Sequence, residues 1–312
     1  MLMRRDAAMA LYCCPRTGMP LHKEGDRLVV EALEDGPRYD IVDGYPVLVD
    51  YERSVLEKSS VQRLSSVVAR HDYGGWKARI KRLVSPPKDI TDDNVDHLLR
   101  LIRRDDRPAK VLVVGGGSRG QNMEPLYEDP RIELVAFDIY ASPWVQFVAD
   151  AHQIPLPSGY FDAVVIQAVL EHVLQPQQVV AEIYRVLKNN GVVYAETPFL
   201  QHVHEGAYDF TRFTESGHRF LFRHFDRIDS GFSAGAGTQL LWSLDNFSRG
   251  LSRSRFVSKL VKLVFFWLRY CDRWIPDAYN IDAASGVFFL GRKRAVAVDG
   301  RTIIAHYLGA QR

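Results

Sequence analysis

Cysteine is scarce in this chain: Cys13, Cys14 and Cys271 are all that 312 residues contain. Three thiols exclude a disulfide scaffold and point to a reducing, cytoplasmic compartment. Charge of one sign is also missing. Forty Lys and Arg against 38 Asp and Glu leave a net +2, so composition does not call for a nucleic-acid partner. No uncharged apolar run reaches the ~18–20 residues of a membrane span. Arg4, Arg5 and Asp6 are not followed by an apolar stretch, so no signal peptide is expected. Internal repeats and low-complexity segments are absent as well. What is present, 46% hydrophobic residues over this length, suits one full α/β domain plus something smaller.

Residues 1–51 are turn-rich and short-stranded. Leu28-Val29-Val30 and Tyr39-Asp40-Ile41-Val42 read as strands, Asp43-Gly44 as a tight turn and Pro46-Val47-Leu48-Val49 as the strand after it. Residues 52–107 read as a helical linker. Val55, Leu56, Leu64, Val67 and Val68 share one apolar face, and Val95, Leu98, Leu99 and Ile102 another, with Ser85-Pro86-Pro87 between them. From 108 to 294 strands alternate with helices. Strands are predicted at 110–114, 132–137, 146–149, 161–167, 191–196 and 226–229, with Gly286-Val287-Phe288-Phe289-Leu290-Gly291 as a late one. A helix is predicted over 176–189, opened by Pro176 and followed by Gly191. This alternation predicts an α/β fold with a Rossmann-like, doubly wound, mostly parallel seven-stranded sheet and its ligand at the carboxyl ends of the strands. Residues 240–280 are a basic, apolar insert in that domain, and 295–312 a tail.

Val111-Leu112-Val113-Val114 runs into Gly115-Gly116-Gly117-Ser118-Arg119-Gly120, and Phe137-Asp138-Ile139 and Ala149-Asp150-Ala151 follow. Glycines after a strand let the backbone approach a ligand closely, and the next helix presents free N–H groups. An acid ending the second strand can accept two hydrogen bonds from ribose hydroxyls, and one ending the third can accept from an adenine amine. The glycine turn alone fits any tight turn. Asp150 alone fits a cap for the following turn equally well. The ordered set points to an adenosine cofactor.

In these residues the chain resembles the class I S-adenosylmethionine-dependent methyltransferases, of the methyltransferase type 11-like kind, over roughly 108–230 and on to 294. Ala149-Asp150-Ala151-His152-Gln153-Ile154-Pro155-Leu156-Pro157 is similar to the family's D-A-x-x-L-P-F segment. Phe161-Asp162-Ala163-Val164-Val165 resembles its fourth strand, Leu170-Glu171-His172-Val173 its L-E-H-V run, and 182–192 its E-x-x-R-V-L-K-P-G-G run. The resemblance implies S-adenosylmethionine as cofactor. It implies Gly115, Gly116 and Gly117 at the methionine and ribose, Asp138 and Ile139 at the ribose, and Asp150 and Ala151 at the adenine. Gln167 would lie near the methyl donor, and Glu171 and His172 would anchor their helix, His172 touching the cofactor. Two positions depart from the family. Val113 stands where it has a first-strand acid, and Arg119 where it has its third glycine, with Gly120 one later. These departures keep a degenerate, non-catalytic binding or activator subunit as an alternative. A dinucleotide dehydrogenase would leave 150–157 and 168–172 unexplained.

After the fifth strand come Thr197-Pro198-Phe199-Leu200-Gln201-His202-Val203-His204-Glu205 and Tyr208-Asp209-Phe210-Thr211-Arg212-Phe213-Thr214. A loop so rich in His, Asp, Arg and aromatics, at that end of a parallel strand, lies where ligands bind. Similar methyltransferases found with polysaccharide and glycolipid synthesis enzymes carry a related P-x-x-x-x-H-x-x-x-x-D-x-x-R-x-T run. By that resemblance His204, Asp209 and Arg212 are the catalytic, acceptor-side residues, with His204 or Asp209 as base. A purely structural Asp209–Arg212 ion pair is the alternative. A His202/His204/Asp209 metal site is another, but no metal is expected. The expected acceptor is a hydroxyl of a sugar or lipid-linked glycan. The alternative is a small hydrophobic metabolite such as a quinone or polyketide.

Tyr12-Cys13-Cys14-Pro15-Arg16-Thr17-Gly18-Met19-Pro20-Leu21, with Ile41-Val42-Asp43-Gly44-Tyr45-Pro46-Val47-Leu48, resembles the small zinc-ribbon-like fold of the activator subunit of tRNA and protein methyltransferases. A structural zinc takes four ligands, and the second Cys pair is missing, so a metal-free version is expected. It would pair with the methyltransferase domain in cis, mediate a homodimer, or serve only as a β cap. Residues 249–273 set Arg249, Arg253, Arg255, Lys259, Lys262, Arg269 and Arg273 against Asp272 alone. They read as one helix, apolar over most of its circumference, with a basic stripe through Lys259, Lys262 and Arg269. Such a helix fits a lid, a dimer partner or a contact with an anionic membrane surface, the last placing the protein at the inner face of the membrane. Without stacking aromatics in an RNA-binding pattern, nucleic acid is not expected.

Overall fold

The computed structural model describes residues 1–31, 33, 35–61, 89–120 and 122–311. Among the described residues eleven strands form one sheet. They are β1 (His22–Glu24), β2 (Arg27–Val29), β3 (Arg38–Val42), β4 (Tyr45–Leu48), β5 (Ala109–Val114), β6 (Ile132–Asp138), β7 (Phe147–Ala149), β8 (Phe161–Gln167), β9 (Leu187–Pro198), β10 (Phe225–Ala234) and β11 (Gly286–Lys293). Their order is 1-2-3-4-7-6-5-8-9-11-10. From β7 to β9 neighbours run parallel, and β11 and β10 close the far edge antiparallel. These seven strands are the predicted Rossmann-like sheet, and its order reverses between β5 and β8.

Helices cover both faces. β5 is apolar at almost every position because both sides are buried, as parallel strands require. Leu112 and Val114 pack with α2 (Pro176–Val186) through Val179, Val180, Ile183 and Val186. Val111 and Val113 pack with α1 (Asp89–Ile102) through Val95, Leu98, Leu99 and Ile102. The sequence places the end of α2 at 189, but the helix stops at Val186. Leu187 turns extended because it pairs with Phe161 of β8, so β9 starts earlier than predicted. Of the expected 52–107 helix, Lys58–Val61 and α1 are described. Leu64, Val67, Val68 and Ser85-Pro86-Pro87 lie outside the described residues.

The amino-terminal strands do not stand apart. β1 to β4 form antiparallel pairs, and β4 then pairs parallel with β7, Val47 opposite Val148 and Leu48 opposite Ala149. Tyr12 packs edge-on against Phe147, ring centroids 4.9 Å apart. Residues 1–51 therefore share both sheet and core with the rest. The Cys14 thiol lies 3.2 Å from the Tyr39 hydroxyl, while Cys13 donates its backbone N–H to the Pro155 carbonyl.

Residues 249–273 are not one helix. α3 (Glu215–Leu221) is followed by α4 (Ala236–Ser252) and α5 (Arg255–Val264), with a 3-10 stretch over Phe266–Arg273. Arg253 adopts a left-handed conformation (φ 52°), and the Ser254 hydroxyl accepts the Val257 N–H to start α5. Serines flanking Arg253 offer the backbone this alternative to a continuing helix. The break dissolves the predicted stripe. Lys259 is exposed, Lys262 pairs with Asp245 at 2.7 Å and lies over the Trp242 ring, and Arg269 is half-buried. No helix among the described residues is long and apolar enough to cross a membrane.

On α3, His218 is buried among Phe213, Phe222 and Phe289, and neither ring nitrogen finds a hydrogen-bond partner among the described residues. Burial pushes its pKa down to about 3, against about 6.5 in an unfolded chain. Below pH ~6.5 the unfolded chain therefore binds a proton that the fold refuses. Stability falls as pH drops from there toward 3, by at most about 1.4 kcal/mol per pH unit. His218→Phe is expected to remove that component of the slope. Urea unfolding between pH 7 and 4.5 checks it, and an unchanged slope refutes it.

Candidate active site

The site opens at the carboxyl ends of β5, β6, β7, β8 and β9, beside the point where strand order reverses. A cavity of 810 Å³ lies there, within the ~300–1,000 Å³ typical of small-molecule sites. The glycine turn forms its floor. Gly115 has φ 76°, and a Cβ on it would stand 2.2 Å from Val169 Cγ2. Gly116 packs behind the turn on Ala136. Gly117 donates its N–H to Asp138 Oδ2 at 2.8 Å, and a Cβ there would meet the Tyr140 hydroxyl at 2.3 Å.

The displaced third glycine has a local cause. Gly120, not residue 119, meets β8: a Cβ on it would lie 1.9 Å from Gln167 Oε1. Arg119 has room because its guanidinium stacks 4.5 Å over the Trp144 ring and reaches Glu128 at 3.8 Å. Val113 contributes only apolar wall. The nearby carboxylate is Glu196 at the end of β9, which sequence reasoning missed. It accepts hydrogen bonds from Thr91 (2.8 Å), Tyr194 (2.5 Å) and Gln167 Nε2 (2.8 Å) and lines the same cavity. An acid interrupting the apolar run Val192-Val193-Tyr194-Ala195 is the signal that would have found it.

Asp138 lines the cavity, with Oδ1 accepting the Ile139 N–H at 2.7 Å. Asp150 lines it too and also caps its own turn: Oδ1 accepts from the His152 backbone (2.9 Å) and lies 2.6 Å from His152 Nδ1, while Oδ2 accepts from the Ser54 hydroxyl. Burial alone would raise the Asp150 pKa, but the His152 and Ser54 hydrogen bonds outweigh it and hold it low. Ile139, Ala151, Gln167 and His172 line the cavity as well.

On the acceptor side the structure brings together His172, His204 and Glu171. The last is fully buried at the 3-10 turn after β8, and neither carboxylate oxygen has a hydrogen-bond partner among the described residues. Burial pushes the Glu171 pKa up to about 8. Asp209 and Arg212 stand behind this wall rather than in it. They form a two-pronged ion pair, and Asp209 Oδ2 accepts the His204 backbone N–H at 2.9 Å. Arg212 keeps the Asp209 carboxyl well below the usual range. His202 is exposed and does not line the cavity. The outer wall comes from the insert, tied down by Asp272, which accepts hydrogen bonds from Gly235 (3.0 Å), Gly237 (2.6 Å) and Thr238 Oγ1 (2.6 Å) at the start of α4.

Residues 112–195 match a family model described as a methyltransferase domain. No curated protein shows significant similarity to the chain. Among solved structures, the chain is similar to a SAM-dependent methyltransferase of Archaeoglobus fulgidus. Identity is 14% and the TM-score 0.42, over 70% of this chain and 100% of that one. The [4+2]-cyclase SpnF follows at 18% identity and TM-score 0.40, over 67% and 82%. Phosphoethanolamine N-methyltransferase 2 of Haemonchus contortus, in complex with S-adenosyl-L-methionine, gives 14% and 0.42, over 65% and 53%. The matched domain spans the glycine turn, Asp138, Asp150 and Gln167. That donor set fits an adenosine with its ribose, and the cavity has room for both cofactor and acceptor. Residues 112–195 thus carry a methyltransferase domain, and the groups lining the cavity beside it fit S-adenosylmethionine.

Proposed function

We propose that this S-adenosylmethionine-dependent methyltransferase methylates a hydroxyl of a sugar, in a lipid-linked glycan presented at an anionic membrane surface. The observation that carries the reading is the make-up of the cavity beyond the cofactor end. Gln201, His204, Glu205, Thr238 and Asp277 offer hydrogen bonds there, and Trp242 and Tyr270 offer ring faces. Sugars need both, whereas a quinone or polyketide wants mostly apolar walls. The same insert exposes Phe247, Leu251, Phe256 and Trp274 beside Arg249, Arg253, Arg255 and Lys259. Apolar side chains ringed by cations suit an anionic bilayer surface.

When bound, S-adenosylmethionine supplies an electrophilic methyl: the acceptor oxygen forms the new C–O bond as the C–S bond breaks, its electron pair goes to sulfur, and the hydroxyl proton leaves. The chain's task is alignment and removal of that proton. Asp138 and the Gly115–Gly117 turn would hold the adenosine end, and Asp150 the base. Gln167, braced by Glu196, orients the donor end. His204, which lines the cavity on the acceptor side, is the group assigned to take the hydroxyl proton. Asp209, kept anionic by Arg212, positions His204 rather than acting as the base.

Labelled S-adenosylmethionine incubated with the chain and a lipid-linked saccharide fraction is expected to leave an O-methyl ether on the saccharide. The chain is expected to sediment with anionic vesicles and not with neutral ones. Label in an apolar small molecule instead favours the quinone reading. Failure to label either fraction refutes both.

A further inference from the structure

We propose that Glu171, His172 and His204 form a divalent-metal site of the open, three-ligand type, with its free position facing the acceptor end of the cavity. The side chains come from two segments, the turn after β8 and the loop after β9. Their ligand atoms all lie within 4.8 Å of one another. His172 Nε2 is 3.6 Å from Glu171 Oε1, and His204 Nε2 is 3.9 Å from the same oxygen.

The ring nitrogens that do not face Glu171 decide the chemistry of those that do. His172 Nδ1 is 2.7 Å from the Tyr208 carbonyl, which can only accept, so the imidazole proton sits on Nδ1. His204 Nδ1 is 3.3 Å from the His202 carbonyl and 3.5 Å from the Asp209 carboxylate, again acceptors only. With that proton on Nδ1, each ring presents Nε2, the ligating nitrogen, toward Glu171. Two lone pairs and a buried carboxyl group converge, and either a shared proton or a cation must stand between them. The open face toward the cavity favours the cation.

The spacing suits one. Four-coordinate zinc holds N and O ligands at ~2.0–2.2 Å, which sets neighbouring ligand atoms about 3.4 Å apart. The 3.6 and 3.9 Å gaps to Glu171 need to close by about half an ångström or less, and the third pair starts from within 4.8 Å. The outer contacts are also those of a metal site, in which each ligating imidazole gives its other N–H to a carbonyl or carboxylate. The His202 carbonyl is that partner for His204, while Asp209, fixed by Arg212, holds the His204 backbone N–H. This accounts for a conspicuous motif that stays out of the cavity. All three ligands line the cavity, so the fourth position faces the space for the acceptor.

The existence of the site does not depend on the proposed acceptor, but its use does. A hydroxyl bound as fourth ligand would be acidified by the cation and would lose its proton to solvent water reaching the cavity. His204 would then act by holding the cation.

The test is a titration of the chelator-treated full chain with Zn²⁺ by calorimetry and with Co²⁺ by visible absorption, without S-adenosylmethionine. One equivalent is expected to bind, with Co²⁺ showing intense tetrahedral ligand-field bands. Glu171→Gln and His204→Gln are each expected to weaken binding at least ~10–100-fold, by analogy with the loss seen for outer-shell partners, and His202→Gln to leave it unchanged. No saturable binding by the parent chain, or equal binding by parent and both ligand variants, overturns the proposal. A proton shared within the cluster would give the first of these results. S-adenosylhomocysteine binding is measured in parallel on every variant. Its retention shows that the fold survives, and its absence in the parent would count against the cofactor site, not the metal site.

Discussion

Asp138→Ala is expected to weaken S-adenosylhomocysteine binding by about two to four orders of magnitude. Hydrogen bonds to a charged acceptor contribute ~1.5–3 kcal/mol each, and ~1.4 kcal/mol is tenfold in Kd. A ribose diol would lose two of them. The same carboxylate receives the Gly117 and Ile139 N–H groups. The variant therefore also releases the turn that the adenosine rests on. Asp138→Asn separates these effects, since its amide oxygen can still accept one N–H while the charge is gone, and an intermediate loss is expected. Calorimetric titration of both variants checks this. An Asp138→Ala affinity within about threefold of the parent would mean that the adenosine lies elsewhere.

The second large effect concerns turnover rather than affinity. His204→Ala is expected to lower kcat by about 10²–10⁴, the usual scale for a positioned proton acceptor, with S-adenosylhomocysteine affinity unchanged. The imidazole lines the cavity and its side chain is 38% exposed, so little stability rides on it. The loss is the same whether the ring takes the proton itself or holds a cation that releases it. A fall in kcat smaller than about tenfold would remove His204 from the chemistry. His202→Ala, two residues away on exposed chain, should change kcat little.

The features legible in the sequence were those with local causes. Apolar runs, alternation with helices and the glycine turn located the seven central strands, and the strand-ending acids Asp138 and Asp150 fall on one cavity. Less legible was anything decided by a distant partner. α2 stops at Val186 because Leu187 is claimed by Phe161. The stripe through Lys259, Lys262 and Arg269 dissolves because a left-handed Arg253 ends one helix before the next begins. Glu171 reads as a helix anchor until His204, from another loop, is set beside it. Arg119 looks like an obstruction until Trp144 gives its guanidinium a platform. Glu196 is hidden inside a strand, and its role becomes visible only when Thr91 and Gln167 converge on it.

The parallel pairing of β4 with β7 also sets a timetable for folding. Leu48 is made early, yet its strand partner Ala149 must be synthesised before the ladder can close. Until then β1 to β4 are a small antiparallel patch open at both β1 and β4, with its apolar residues not yet covered by the main core. β7 in turn has an open edge until β4 arrives, and such edges are sites where chains stick to one another. The central sheet and its amino-terminal strands therefore have to finish together, through a contact of long sequence separation that slows folding. A chain built this way exchanges the speed of folding in sequence for an enzyme whose sheet edge is covered by its own first strands.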